Sequence, residues 1–415
     1  MFMLLNASFL RWFSAAVFAA LCNLATLQPV VGQDPALQPR HWRVVWTTAP
    51  DTTARILWNT TTAGDDHRLH WRPVGSDAAP ATTAAQSERF QGGDEALYTH
   101  RVTLTDLQPS TAYELQMESD GQATRWFFFR TAPADDRPLA MIHGGDSRSD
   151  SAMRRRVNGL IADLVKDSFA NDDPDDDIVA FAHGGDFIVS GRSLPQWKQW
   201  MEDHEATTGE DGRLIPIIPA RGNHDKGPIF NQVFGFPADD DNYYAVNLGS
   251  ALRFVTLNSE ISTAGDQARW LQAELAESRP DHRWLLVQYH RPVFPAVKSP
   301  GAGLLSWVPL FEQYHVDLVC ESDGHVAKRT VPIRDGKRDP SGVVYIGEGG
   351  LGVPQRTPKT GRWFLQEPGM AEAAHHVFVI TVGADEMAVR CETLTRGVID
   401  RSTLTLRPAR LRQGS

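Results

Sequence analysis

Between about residues 40 and 132 the chain alternates short apolar runs with turn-forming clusters. Segments 42–48, 55–59, 68–73, 99–107, 113–118 and 126–130 are rich in β-branched and aromatic residues, and Thr, Gly, Asp and Pro separate them. Strands of that length and spacing predict an antiparallel β-sandwich over 40–132. The Trp residues between 42 and 71 fall at alternating strand positions, which favours core filling over carbohydrate stacking. Past a Pro- and Asp-rich linker at 132–138 the period changes. Met153, Val157, Leu160, Ile161 and Leu164 recur at helical spacing, as do Leu271 with Leu275, and Leu305 with Val308, Leu310 and Phe311. Apolar runs at 139–142, 178–182, 214–218, 284–289, 316–320 and 343–346 read as strands. Strands alternating with helices predict a mostly parallel, layered α/β domain over 137–406, its β-sheets flanked by helices, with 407–415 as a tail.

Length and charge narrow the class. A chain of 415 residues, 41% of them hydrophobic, is long enough for two or three domains with real cores. A formal net charge of -10 makes nucleic acid an unexpected partner and means that any bound phosphate needs a local positive source such as a metal. At the N-terminus Arg11 precedes an apolar stretch from Phe13 to Leu27, and Val30, Val31 and Gly32 offer small residues for cleavage. This predicts a secretory signal peptide over 1–33, hence an exported protein of the periplasm, cell envelope or medium with no membrane span in its mature form. Only Cys320 and Cys391 remain after it, too few for a disulfide framework. The acidic run at 171–177 lacks the spacing of a calcium loop and reads as a solvated turn.

Five predicted strands end in polar motifs. They are His143-Gly-Gly-Asp146, His183-Gly-Gly-Asp186, Gly222-Asn223-His224-Asp225, His290-Arg291-Pro292 and Asp323-Gly324-His325. Ligands of α/β sheets bind beyond the strand C-termini, and five strands delivering Asp, Asn and His to one edge point to a metal site. Carboxylate, amide oxygen and imidazole suit zinc, iron or manganese. A carboxylate can bridge two such ions about 3.5–4 Å apart, the arrangement that activates water against a phosphate ester. His143 and His183, just inside their strands, read as structural, and Glu348 in Ile346-Gly-Glu-Gly-Gly350 as part of the same rim.

In order and spacing these motifs resemble the calcineurin-like metallophosphoesterase superfamily, whose pattern is GD…GDxxY…GNH(E/D)…VxxH…GHxH. The two-domain layout is similar to that of purple acid phosphatases. The 107–113 turn (LQPSTAY) resembles the tyrosine corner of fibronectin type III-like domains, so the sandwich is expected to be of that type. The resemblance covers about residues 40–406. It implies Asp186 as a bridging metal ligand, with Asn223, His290 and His325 completing one metal position and Asp146 holding the other. It implies His224 as the residue facing the scissile phosphate, with Asp225 orienting its imidazole, and Asn223 and His224 as substrate contacts; Arg148 is added as a phosphate contact from its own position, two residues after Asp146. The activity implied is hydrolysis of a small phosphate ester, a monoester first, by metal-bound hydroxide.

The departures from the pattern leave the first metal position thin. Val189 stands where the family has its Tyr, so no purple chromophore is expected, and Ala327 stands two positions after His325 where a second His belongs. Either one ion is completed by water, substrate or a further ligand such as Asp150 or His143, or Arg148 or Lys328 puts a fixed positive charge there. One or two ions, a phosphodiesterase or nucleotidase of the same superfamily, and a catalytically degenerate envelope binding protein all remain open on the sequence.

Overall fold

The computed structural model describes residues 34–92, 95–171, 174–359 and 361–406. The expected signal peptide (1–33) and the tail (407–415) lie outside them. The sandwich forms from two sheets. One contains Arg40–Val45, Ala54–Thr60, Tyr98–Leu104 and Gln86–Arg89; the other contains Ala81–Ala84, His67–Pro73, Ala112–Ser119 and Gln122–Ala123, with Phe127–Arg130 also paired to Ala112–Ser119. Alternation decides which residues face inward. Tyr113, Leu115, Met117 and Ser119 are buried, and their neighbours Glu114, Gln116 and Glu118 are not. Gln108 donates its N–H to the Tyr113 hydroxyl at 2.8 Å, the expected corner. Trp46 and Trp58 are core residues, and Trp58 Nε1 reaches Ser119 Oγ at 3.1 Å. The strands Ala81–Ala84 and Gln86–Arg89 were not expected. They are polar, largely exposed edges with no apolar signal.

The sandwich is continuous with the α/β layers. Val45 pairs in parallel with Ile217, so one sandwich sheet extends through Ile217–Pro219, Ile178–His183, Leu139–Gly144, His376–Val382, Glu386–Thr393 and Gly397–Thr405 to make ten strands. The linker at 132–138 therefore joins two layers within one compact unit. Segment 214–218 divides between the layers for the same reason. Leu214 donates to Phe128 of the sandwich at 2.7 Å, and the strand begins only at Ile217.

From Leu139 onward two sheets stack face to face. The second runs Tyr244–Leu248, Leu252–Thr256, Trp284–Gln288, Leu318–Glu321, Val344–Gly347, Ala327–Arg329, Met370–Glu372. Met141, Ala182, Ile218 and Phe378 of the first sheet meet Phe254, Leu286, Leu318 and Ile346 of the second. Alternate residues of the same strands point outward. Ile142 and Phe181 are covered by the helices Ser151–Ala170 and Leu194–His204, while Leu285 and Val287 are covered by Leu271 and Leu275 of Asp266–Asp281. Burial on both faces explains why these strands read as unbroken apolar runs. Each such side chain contributes roughly 1.5–3 kcal/mol. The sheets are mixed rather than mostly parallel. The central strands pair in parallel, and antiparallel strands are added at the edges by hairpins such as His376–Val382 with Glu386–Thr393. Leu305 has helical spacing yet is 85% exposed. Cys320 and Cys391 are buried and unpaired. No described helix is long and apolar enough to cross a membrane.

Candidate metal centre

The loops after Leu139–Gly144, Ile178–His183, Ile217–Pro219, Trp284–Gln288 and Leu318–Glu321 meet where the two stacked sheets end. Asp146, Asp186, His290 and Asp323 each bring a ligand atom to this place, all within 4.8 Å of one another and all from buried residues. Asn223 adds an Oδ1 that is buried without a hydrogen-bond partner, and so are Asp146 Oδ1 and His290 Nε2. A buried polar atom left unpaired costs about 1–3 kcal/mol. Asp146 and His290 belong to the four-residue cluster, which makes a cation its natural occupant, and oxygen with imidazole donors suits manganese, iron or zinc.

The backbone is bent to achieve this convergence. Asp146, Asp186, Asp323 and His325 adopt positive φ of 58°, 59°, 70° and 63°, a region costly for any residue with a Cβ and least so for Asp, Asn and His. Gly222 lies so close to Asp186 that a Cβ would collide with its carboxylate, and Gly349, at φ +78°, stands in the same relation to Asp146. Gly349 belongs to the Ile346–Gly350 run, so that segment supplies close approach.

Hydrogen bonds aim the ligand atoms. His290 gives its Nδ1–H to the Gly184 carbonyl at 2.9 Å, which leaves Nε2 facing Asp186 Oδ1 at 3.2 Å and Asp323 Oδ1 at 3.5 Å. The Asp323 N–H donates to Asp146 Oδ2 at 2.7 Å, and the His224 N–H to Asp186 Oδ1 at 2.9 Å. Burial opposes ionisation of Asp323, but His290 and Lys298 outweigh it and hold the carboxyl at about 2. Burial likewise opposes a charge on His290, yet the surrounding carboxylates, Asp186 foremost, raise it well above its ordinary value. The acidic groups thus draw positive charge inward.

The protein-family comparison fits this geometry. Residues 39–131 match the purple acid phosphatase N-terminal domain, and residues 104–327, more than half of the chain, match the calcineurin-like phosphoesterase model. The chain belongs to the calcineurin-like phosphoesterase family. Among curated relatives, an uncharacterized protein of Mycobacterium tuberculosis is 28% identical over 346 residues, 73% of this chain and 61% of its own length. Acid phosphatase type 7 of Danio rerio is 26% identical over 288 residues, 58% of this chain and 59% of the relative. The chain therefore spans about three fifths of the length of these relatives. The fold is similar to the purple acid phosphatase from yellow lupin (Lupinus luteus) seeds, with a TM-score of 0.74 at 16% identity over 90% of this chain and 75% of the other. It is also similar to PhoD, with a TM-score of 0.62 at 11% identity over 89% and 90%.

Within this member of the family the residues expected as ligands lie on the loops that meet here, with one regrouping. Asp323, absent from the expected set, stands beside His290. His325 instead lies with the other half, its Nε2 3.3 Å from Asp146 Oδ1. The last motif thus spaces its two ligand-type residues as Asp323 and His325, and the gap expected at Ala327 comes from reading the pattern two residues late. Ala327 is buried between the sheets on the strand Ala327–Arg329. The adjacency of Asp323 to the Gly324-His325 pair was the available signal.

Other expectations need correction. Asp225 does not orient the His224 imidazole. Its carboxylate accepts three backbone N–H groups, from Asp186 and Gly222 at 2.8 Å and from Phe187 at 2.9 Å, and so pins two motif loops together. The His224 Nδ1–H is held by the Val189 carbonyl at 2.6 Å, which leaves Nε2 4.0 Å from Asp186 Oδ2. Asp150 is the N-cap of Ser151–Ala170 rather than a ligand, and His143 faces the Glu321 carbonyl. His183 is structural as expected, bonded to Ser147 Oγ at 2.9 Å and stacked on Phe187. Lys328 and Glu348 lie beneath the centre, fully buried. Lys328 pairs with Glu321 and with Glu348 Oε1, the latter at 3.0 Å, and Glu321 accepts from the Tyr289 hydroxyl at 2.8 Å. Burial pushes Glu348 up to about 7 against the pull of Lys328. Glu348 also ties the ligand loop, since its carbonyl accepts from the His325 N–H at 2.7 Å. Arg148 reaches Asp186 Oδ2 at 3.1 Å and His325 Nε2 at 3.3 Å.

The sandwich contributes from a distance. Arg43 Nε, Arg55 Nη1 and Arg101 Nη1 donate to the carbonyls of Val233, Phe234 and Gly235 at 2.7, 3.1 and 3.1 Å. These close the C-terminal end of Ile229–Phe234, the helix after the loop bearing His224.

Proposed function

We propose that the protein is an exported, metal-dependent phosphoesterase acting on small phosphate monoesters. The observation that carries this reading is the convergence of Asp146, Asp186, His290 and Asp323 within 4.8 Å, with Asp146 Oδ1 buried and unpartnered. A bound ion supplies Lewis acidity there, neutralising phosphoryl oxygens and acidifying an attacking water. The chain's own groups do the rest. Asp186 and Asn223 would hold the ion rather than the phosphoryl group. The Arg148 side chain, 13% exposed, offers a planar donor fork to its oxygens. His224, 30% exposed and with Nδ1–H anchored on Val189, directs Nε2 to the open side of the centre, where in its protonated form it donates to the leaving oxygen. Lys298 and Arg356, both on Asp323, add positive charge at the mouth, which favours a dianionic monoester over a singly charged diester. The relatives named acid phosphatases point the same way. Export rests on Arg11, the apolar stretch from Phe13 to Leu27 and the small residues after it.

The test is a panel of phosphate mono- and diesters with protein reconstituted in Mn, Zn or Fe, wild type beside His224→Ala. Monoester turnover cut roughly 10²- to 10⁴-fold by His224→Ala is expected. Faster diester turnover would make it a phosphodiesterase. No turnover with any metal would leave the binding-protein reading.

A further inference from the structure

We propose that this phosphoesterase holds one metal ion and that the Arg148 guanidinium stands where a second would sit. The inference rests on the metal-dependent reading above and specifies how the positive charge of that centre is supplied. His325 is decisive through its tautomer. Its Nδ1 lies 3.1 Å from the Pro354 carbonyl and so carries the proton, which leaves Nε2 as a lone-pair acceptor. Arg148 Nη2 lies 3.3 Å from that Nε2, and Arg148 Nε lies 3.1 Å from Asp186 Oδ2. Those two atoms, with Asp146, are what an ion in this half would take.

An N–H donor approaches its acceptor to about 2.7–3.2 Å between heavy atoms. A transition-metal ion sits at about 2.0–2.2 Å from nitrogen or carboxylate oxygen. The guanidinium and an ion therefore compete for the same lone pairs. Arginine does not escape by losing its proton. The side chain is also fixed: Nη1 lies 3.1 Å from Ser149 Oγ, and the Arg148 N–H donates to the Asp186 carbonyl at 3.2 Å.

The other half is built differently. Asn223 Oδ1 has no hydrogen-bond partner, and His290 Nε2 faces only the carboxylates of Asp186 and Asp323. Lys298 reaches Asp323 there, but from the mouth, with a side chain 35% exposed that an arriving ion displaces. No guanidinium enters this half, whereas in the other Asp146 Oδ1 is left unpaired while Arg148 holds the lone pairs of His325 and Asp186.

The experiment is Mn(II) reconstitution of metal-free wild type, Arg148→Ala and Arg148→His, followed by metal analysis and low-temperature electron paramagnetic resonance. One Mn per chain with an uncoupled spectrum is expected for wild type. Two per chain with a spin-coupled pair are expected once the guanidinium is gone, and Arg148→His serves should Arg148→Ala fail to fold. Wild type binding two ions or none overturns the inference, as do folded Arg148 variants that still bind one. Turnover measured on the same samples separates the two readings. Wild type with one ion and no turnover sinks the hydrolase and leaves this stoichiometry standing. Turnover with two ions does the reverse.

Discussion

The Oδ1 atom of Asp323 lies 3.5 Å from Nε2 of His290. A carboxylate thus occupies a position that the sequence pattern assigns to imidazole, and it makes this half of the centre harder and more negative. Asp323→Ala is expected to weaken Mn(II) binding by more than about 100-fold, beyond the 10–100-fold typical of partners one step removed from the metal. His325→Ala, whose acceptor nitrogen already serves Arg148, should weaken it less than about 10-fold. Chelator competition measures both, and equal losses would contradict this assignment of halves.

Asp225 and His224 are adjacent in sequence but have separate tasks. Asp225→Ala leaves three buried N–H groups without an acceptor and is expected to lower stability by on the order of 3 kcal/mol. His224→Ala, part-exposed, should cost under about 1 kcal/mol and act on kcat. Urea midpoints of the two variants separate the roles. An Asp225→Ala protein of wild-type stability would contradict the pinning function.

Lys328 is the cation between two buried carboxylates. Lys328→Met leaves Glu321 and Glu348 facing each other without compensation, at a cost of roughly 3–5 kcal/mol. Adding Glu321→Gln and Glu348→Gln should recover a large part of it. Denaturant titration of the single and triple variants checks this, and a single variant as stable as wild type would contradict it.

Burial, helped by Arg43, holds the His204 imidazole at about 3 in the folded chain, against 6.5 ordinarily. As pH falls the unfolded chain takes up this proton first. The stability contributed by neutral His204 is complete above about pH 6.5 and is lost progressively toward pH 3, by about 1.4 kcal/mol per pH unit. His204→Phe, which can keep the stacking on Trp200, should flatten the fall between pH 6 and 4 by that amount. Urea midpoints across this range measure it, and identical slopes would contradict the neutral buried state.

What the sequence revealed and what it hid have physical causes. Strands covered on both faces, such as Ile178–His183, announce themselves as apolar runs, and glycine-flanked Asp146 and Asp186 mark their ends. Polar edge strands such as Gln86–Arg89 have no apolar face to signal. The strand start at Ile217 depends on Phe128 holding Leu214, a contact between residues distant in the chain. At the centre the donor types were legible, but their grouping was not. Asp323 and His325 sit on one tight loop, both at positive φ, and face opposite halves; their spacing marks them as a pair, but which half each faces depends on the backbone turn. The backbone acceptor role of Asp225 was hidden for a related reason, since two of its three partners, Asp186 and Phe187, belong to another strand's loop.

The central claim is that the converging Asp, Asn and His side chains form a metal centre that hydrolyses phosphate esters. It is tested most directly by following monoester turnover on one sample through chelation and metal return, beside Asp186→Asn and His290→Ala. The expected result is turnover that disappears with the metal, returns with Mn, Zn or Fe, and is absent from both variants. Turnover that survives chelation, or that persists in either variant, would contradict it.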